Sequence, residues 1–326
     1  MFSCESERVA FTLNCTQAIN TAVNGLFRPG AHVIISSLEH NSVLRPVHKL
    51  KERGIQYSIA GVEPGDDNLT IENFASLIKK NTKAIICTCV SNVFGTVLPV
   101  EKIGELCKKR GLIFILDAAQ GAGHMPIDMK KMNIDVLCMP GHKGLLGPMG
   151  TGAILLSERA DPSPLCRGGT GSYSMDVHQP KIYPDRLESG TLNFPGLAGL
   201  LSGVRFIKRE GGERAVAEKE GELMALLVED LSVVKGLRVY TELWGEKPAT
   251  VLSLNVGELH SERTAMLLDG ESIAVRAGYH CSFLAHNNYG TGEKGTVRVS
   301  PGFFNTKKDI KNLVFCLNKI AKGELL

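Results

Sequence analysis

LIFILDAAQGAGHMPIDMKKMNIDVLCMPGHKGLLG, residues 112–147, holds two short apolar runs, 112–116 and 134–139, each of strand length and each ending at a functional-looking group. The first run stops at Asp117 and the second leads into Lys143. An acid and an amine therefore stand at the carboxyl ends of two strands, the edge at which open α/β sheets bind ligands. Pyridoxal phosphate (PLP) chemistry asks two groups of its protein: an acid that keeps the pyridine nitrogen protonated, and a lysine in Schiff-base linkage. Either residue alone reads as a capped turn or a surface lysine. Together, with Gln120 three residues after the acid and His142 beside the lysine, they point to PLP.

Outward from this stretch, strands and helices alternate. Strands are expected over residues 9–13, 31–36, 56–62, 83–90 and 153–156, and helices over 16–26, 42–53, 71–80 and 99–110. Such alternation builds βαβ units and a mostly parallel sheet covered on both faces. Thr16 opens the first helix, where free amides and the helix dipole hold a phosphate. It serves equally as an N-cap, and the two roles are compatible. His40 and Asn92 fall in loops at the same carboxyl edge. Residues 161–196 are irregular and rich in Gly and Pro, the composition of lids, binding loops or subunit contacts. Helices over 197–208 and 213–234 lead into strands at 237–241, 250–256, 273–277 and 296–300, with helices at 262–269 and 307–321. The expected fold class is α/β: a large domain, residues 1–200, with a mostly parallel sheet, and a smaller C-terminal α+β domain, residues 201–326.

The 326 residues carry a net charge of +3 with 22% charged side chains, a balance that directs no bulk attraction toward nucleic acid or an anionic membrane. There is no apolar run of membrane-spanning length and no signal-peptide pattern at the start, so the expected location is cytoplasmic. Nine cysteines then read as reduced thiols. No Walker lysine or HExxH or CxxC spacing points to nucleotide or metal, and GTGEKG at 290–295 lacks the strand-before, helix-after setting of a dinucleotide fingerprint. In RAGYHCS, residues 276–282, Cys281 has His280 beside it and Arg276 nearby, a setting that favours a thiolate if the side chains converge.

The strings CTQAIN (15–20), EHNSVLRP (39–46), VSNVFGT (90–96), LDAAQGAGHMPIDM (116–129), PGHKGLLGP (140–148), ESGTLNFPG (188–196), RAGYHC (276–281) and GTVRVSPGFFNT (295–306) occur in one order. In that order the chain resembles PLP-dependent cysteine desulfurases and selenocysteine lyases of the class V aminotransferase superfamily, in the branch with the short RxGxHC loop. The resemblance implies PLP fold type I, with Lys143 carrying the cofactor, Asp117 on the pyridine nitrogen, Gln120 on the ring hydroxyl and His40 stacked on the ring. Thr16 and His142 would hold the phosphate with Gly190 and Thr191 from the other subunit of a homodimer. Asn92 and Arg298, with Arg276 nearby, would bind the substrate carboxylate. Cys281 would take sulfur from L-cysteine as a persulfide, leave L-alanine, and pass the sulfur to an acceptor protein or thiol. Selenocysteine lyase, another class V reaction, or an inactive shortened paralogue remain open as alternatives. Tyr279 and Pro140 depart from the family pattern, which often has His and Ser there. The family also carries an upstream segment that borders the substrate site, so the chain is expected to be an N-terminally shortened version with impaired solubility or activity.

Overall fold

The computed structural model describes residues 1–241 and 251–325. Among them the strands form two sheets, and the chain divides into two compact units: Met1–Cys89 with Leu98–Glu213, and Val90–Val97 with Arg214–Leu326. The boundary expected at residue 200 would cut the helix Phe194–Arg209, which lies wholly in the first unit.

In chain order the first unit runs β1 (Val9–Thr12), α1 (Cys15–Leu26), β2 (His32–Ser36), α2 (Asn41–Lys49), β3 (Gln56–Ala60), α3 (Asp67–Ser76), β4 (Thr82–Thr88), α4 (Val100–Arg110), β5 (Ile113–Asp117), β6 (Val136–Pro140), β7 (Gly152–Leu156) and α5 (Phe194–Arg209). The strands lie in the order β1-β7-β6-β5-β4-β2-β3. The five from β6 to β3 pair in parallel, and β7 and β1 close one edge antiparallel. Parallel strands are covered on both faces and so read as continuous apolar runs. Every residue of β2, β6 and β7 is buried accordingly. The helix expected over 71–80 lies four residues earlier, because Asp66 caps it by accepting the Leu69 N–H at 2.9 Å. Residues 157–193 contain no helix or strand, as their composition implies.

The second unit contains α6 (Glu213–Leu231), β8 (Leu237–Val239), β9 (Leu252–Val256), α7 (Ser261–Gly270), β10 (Arg276–Gly278), α8 (Phe283–Asn288), β11 (Thr296–Val299) and α9 (Lys307–Ala321). Its sheet is antiparallel, in the order β10-β11-β9-β8. Residue 250, where a strand was expected to start, lies outside the described residues. Strand β9 shows how the layer is built. Leu252, Leu254 and Val256 face a core completed by α6, α7 and α9, while the alternate Ser253 and Asn255 are also buried. Val90–Val97 cover that polar side: the Ser253 hydroxyl donates to the Val93 carbonyl at 2.6 Å, and Phe94 stacks on Tyr289 with ring centroids 3.7 Å apart. No described helix is long and apolar enough to cross a membrane.

Two glycines lock the decisive stretch. Gly123, at φ +88°, lies so close to the Lys143 loop that a Cβ there would sit 2.2 Å from the Gly144 carbonyl oxygen. A Cβ on Gly144 would in turn sit 2.4 Å from the Ala122 carbonyl oxygen. The turn after Asp117 and the loop carrying Lys143 are thus held in backbone contact that no side chain fits. Gly144→Ala is expected to destabilise the protein by about 3 kcal/mol, the upper range for overpacking against backbone that cannot yield. Denaturant titration checks this, and an unchanged midpoint would mean that the two loops can separate freely.

Candidate active site

Asp117 ends β5 and is buried. Its Oδ1 accepts the Ala119 N–H at 2.9 Å and the Cys15 thiol at 3.3 Å, and its Oδ2 accepts the Ser42 hydroxyl at 3.5 Å. Three donors around one acid make the coordination of a carboxylate. Cys15 is the first residue of α1, and burial, reinforced by the Asp117 charge, pushes its pKa far above the ordinary thiol range. It stays a neutral donor. Cys15 and Ser42 are contributors that sequence reasoning missed. Their signal was positional, since each sits in the opening turn of a helix whose N-terminus faces the ligand edge of the sheet.

His40 caps α2 by accepting the Ser42 N–H on Nδ1 at 2.9 Å. An amide can only donate, so the neutral ring carries its proton on Nε2. Asn14, and not Thr16, caps α1, accepting the Gln17 N–H at 2.9 Å. Thr16 is therefore relieved of capping and lies exposed in the first turn. Gln120 is half-buried in the turn that follows Asp117, and His142 and Lys143 are exposed after β6. The Lys143 ammonium is near enough to act on the Cys15 thiol, which places its charge on the Asp117 side of the unit. Partial desolvation, followed by the Lys143 charge, lowers the His142 pKa. Gly190, at φ +89°, donates its N–H to the Gly169 carbonyl at 2.8 Å, and Thr191 beside it is exposed.

The second unit carries the remaining candidates. Arg276 and Arg298 stand directly opposite each other on β10 and β11, so their like charges share one face of the sheet. Arg298 donates from Nη1 to the Asn92 carbonyl at 3.0 Å, while its Nε is buried without a hydrogen-bond partner among the described residues. Burial and then Arg276 lower its pKa. Two guanidinium groups and an unused buried N–H make a place for a carboxylate.

Cys281 is exposed at the tip of a turn in which His280 and Cys281 have φ values of +49° and +57°. Side chains rarely adopt that conformation, and such strain persists only where its surroundings over-determine it. Asn92 supplies the restraint: its Nδ2 donates to the His280 carbonyl at 2.9 Å and its Oδ1 accepts the Ser282 hydroxyl at 2.5 Å. The amide expected on the substrate carboxylate also brackets the cysteine, and its backbone carbonyl meets Arg298. His280 also departs from expectation. Its Nε2 donates inward to the Thr296 carbonyl at 3.0 Å, and burial is the main cause that lowers its pKa to about 4. A neutral, inward ring gives Cys281 no cation. The other exposed thiol, Cys166, lies in the irregular stretch of the first unit.

If Asn92 holds the turn, Asn92→Ala leaves the His280 carbonyl and the Ser282 hydroxyl without their partner. Such losses cost about 1–3 kcal/mol, so hydrogen exchange across residues 278–283 should speed up about tenfold or more while α9 is unaffected. Unchanged exchange would remove Asn92 from that role.

Comparison with known proteins follows the same line. Residues 1–313 match the family model for class-V aminotransferases. A probable cysteine desulfurase of Methanothermobacter thermautotrophicus is 33% identical over 332 residues, spanning 98% of this chain and 80% of the relative. One from Pyrococcus abyssi is 32% identical, again across 98% of this chain and 80% of its own length. Among solved structures, the apo cysteine desulfurase from Thermococcus onnurineus NA1 superimposes with a TM-score of 0.90 at 31% identity, covering 98% of this chain and 80% of that one.

Proposed function

The chain belongs to the class-V aminotransferase family, and from that premise we propose that it is a PLP-dependent cysteine desulfurase, converting L-cysteine to L-alanine and a persulfide on Cys281. The observation that carries this beyond family membership is the exposed, strained Cys281 in the same compact unit as the Arg276 and Arg298 pair. Transamination has no use for such a thiol. The residues fit the cofactor: a strand-end carboxylate with three donors, a lysine loop locked to the turn after it, and the amino end of α1 with Thr16 exposed.

Bound PLP supplies the electron sink that makes the substrate α-proton removable. Asp117 would accept the ring N–H, Gln120 would bind the ring hydroxyl, and His40 would cover the ring face with its proton on Nε2. Thr16 and His142 would hold the phosphate. Lys143 would hold the cofactor, and its Nζ would be the base that takes the substrate α-proton. Arg298 and Arg276 anchor the carboxylate through guanidinium N–H groups, among them the buried Nε of Arg298. Asn92 fixes the thiol and, through its carbonyl, the Arg298 side chain. Cys281 Sγ attacks the substrate sulfur: the Sγ–S bond forms as the Cβ–S bond breaks, the carbon keeps the electron pair and is protonated, and alanine leaves. The persulfide sulfur then moves to another thiol, on an acceptor protein or a small molecule.

A homodimer completes this reading, with Gly190 and Thr191 of a second copy reaching the phosphate. In the single chain the surrounding stretch leaves Met175 99%, Val177 94% and Phe194 68% exposed, the kind of apolar surface that marks an interaction site. Light scattering is expected to give twice the chain mass, and a monomer that binds PLP tightly would exclude the shared site.

Borohydride reduction should fix PLP on the peptide containing Lys143, and Lys143→Ala should abolish the label. Label retained on another lysine would remove Lys143 from its role. Cys281→Ser should keep the spectral response to L-cysteine yet form no protein persulfide. Full sulfur transfer by that variant would reduce Cys281 to a bystander, whereas undiminished selenium release from selenocysteine alone would make the protein a lyase.

A further inference from the structure

Glu39, one residue before His40, is fully buried. Its Oε1 accepts hydrogen bonds from the Ser36 hydroxyl and from the Thr88 N–H, the latter at 2.8 Å. Its Oε2 is buried with no partner among the described residues. A carboxylate divides its charge between two oxygens, so one bare oxygen in the interior forfeits hydration with nothing in return. A neutral acid has its carbonyl oxygen satisfied by Ser36 and Thr88 and leaves one unpaired O–H at Oε2, a smaller cost in the interior than an unpaired charge. Asp117, with donors on both oxygens, shows the opposite pattern a short distance away.

We propose that Glu39 is a positioning residue that works as a neutral carboxylic acid: its carbonyl oxygen ties the end of β2 to the end of β4 beside His40, and its neutrality keeps a second negative charge away from Asp117. The groups facing it agree. Burial is the main influence and lifts its pKa to about 8, with the Ser36 and Thr88 hydrogen bonds opposing and the Asp117 charge adding. Cys87 on β4, which feels Glu39, is itself held as a thiol by burial. Two carboxyl groups in one buried cluster thus divide the work, Asp117 with donors on both oxygens and Glu39 with donors on one.

The sign of the pH effect follows. The folded value of about 8 lies above the ordinary 4.5, so the folded state holds a proton that the unfolded chain has released. Stability from this group is complete below the ordinary value and is lost as pH rises through about 8. Glu39→Gln imitates the neutral acid, its carbonyl accepting the same two hydrogen bonds, and does not titrate. Glu39→Ala removes the tie altogether.

The role beside Asp117 rests on the cofactor reading above, but the first arm of the test uses the cofactor-free 326-residue chain and is decided without it. Unfolding temperatures of the wild type and Glu39→Gln are compared from about pH 5 to about pH 9. The advantage of Glu39→Gln is expected to widen with pH and level off above the folded pKa, while Glu39→Ala is less stable throughout. Parallel curves for wild type and Glu39→Gln would overturn the neutral-acid assignment. In the second arm PLP affinity is measured against pH. The wild type should weaken by about threefold or more above its transition while Glu39→Gln does not, because a second charge then acts on Asp117. Equal weakening of both would overturn the protective role. A wild-type chain that binds no PLP at all would defeat the cofactor reading and leave the first arm standing.

Discussion

A buried carboxylate has to be given hydrogen-bond donors, and meeting that demand at Asp117 organises the first unit. The strand that delivers it is apolar and covered, so its donors come from elsewhere: the turn that follows, the opening residue of α1 and the opening turn of α2. Helix N-termini are suited to this, because their unpaired amides and dipole favour negative charge nearby. The openings of two helices therefore converge on the acid. His40, as the cap of α2, has its tautomer set by the same arrangement, and the Gly123 and Gly144 contact brings the lysine loop into register with it.

Positive charge poses the matching problem in the second unit. Facing arginines on adjacent strands repel, and the partial burial of Arg298 sharpens the cost. An anionic ligand placed there would turn that cost into affinity. His280, neutral and turned inward, lends the thiol no charge, and what singles out Cys281 is its exposed place at a strained turn.

Much of this was legible because apolar runs and the groups that terminate them are local. Asp117 and Lys143 follow buried strands, so their placement at one sheet edge needed only the rule that ligands gather at carboxyl ends. α9 occupies the residues expected of it, because Thr306 and Asp309 form a reciprocal cap at its start and the apolar spacing carries it to Ala321. What sequence could not give depends on long-range contacts. Asn92 finds its partners 188 and 190 positions away. The direction of the His280 ring is decided by burial against Thr296, and the neutrality proposed for Glu39 depends on which donors reach each oxygen. α8 falls where the sequence reads as loop, since its six residues are too few to show a period.

The excursion of Val90–Val97 has a consequence for how such a protein can be divided. The second unit is not one continuous run of chain: a short piece of it comes from between β4 and α4, and that piece brings the carbonyl that Ser253 binds, the ring that stacks on Tyr289 and the amide that brackets Cys281. A gene fragment encoding only residues 214–326 would carry Cys281 without the piece that shapes its turn. The C-terminal unit is for that reason not a portable module. Recombination that exchanged it between relatives would preserve the thiol only by carrying along a loop encoded far upstream.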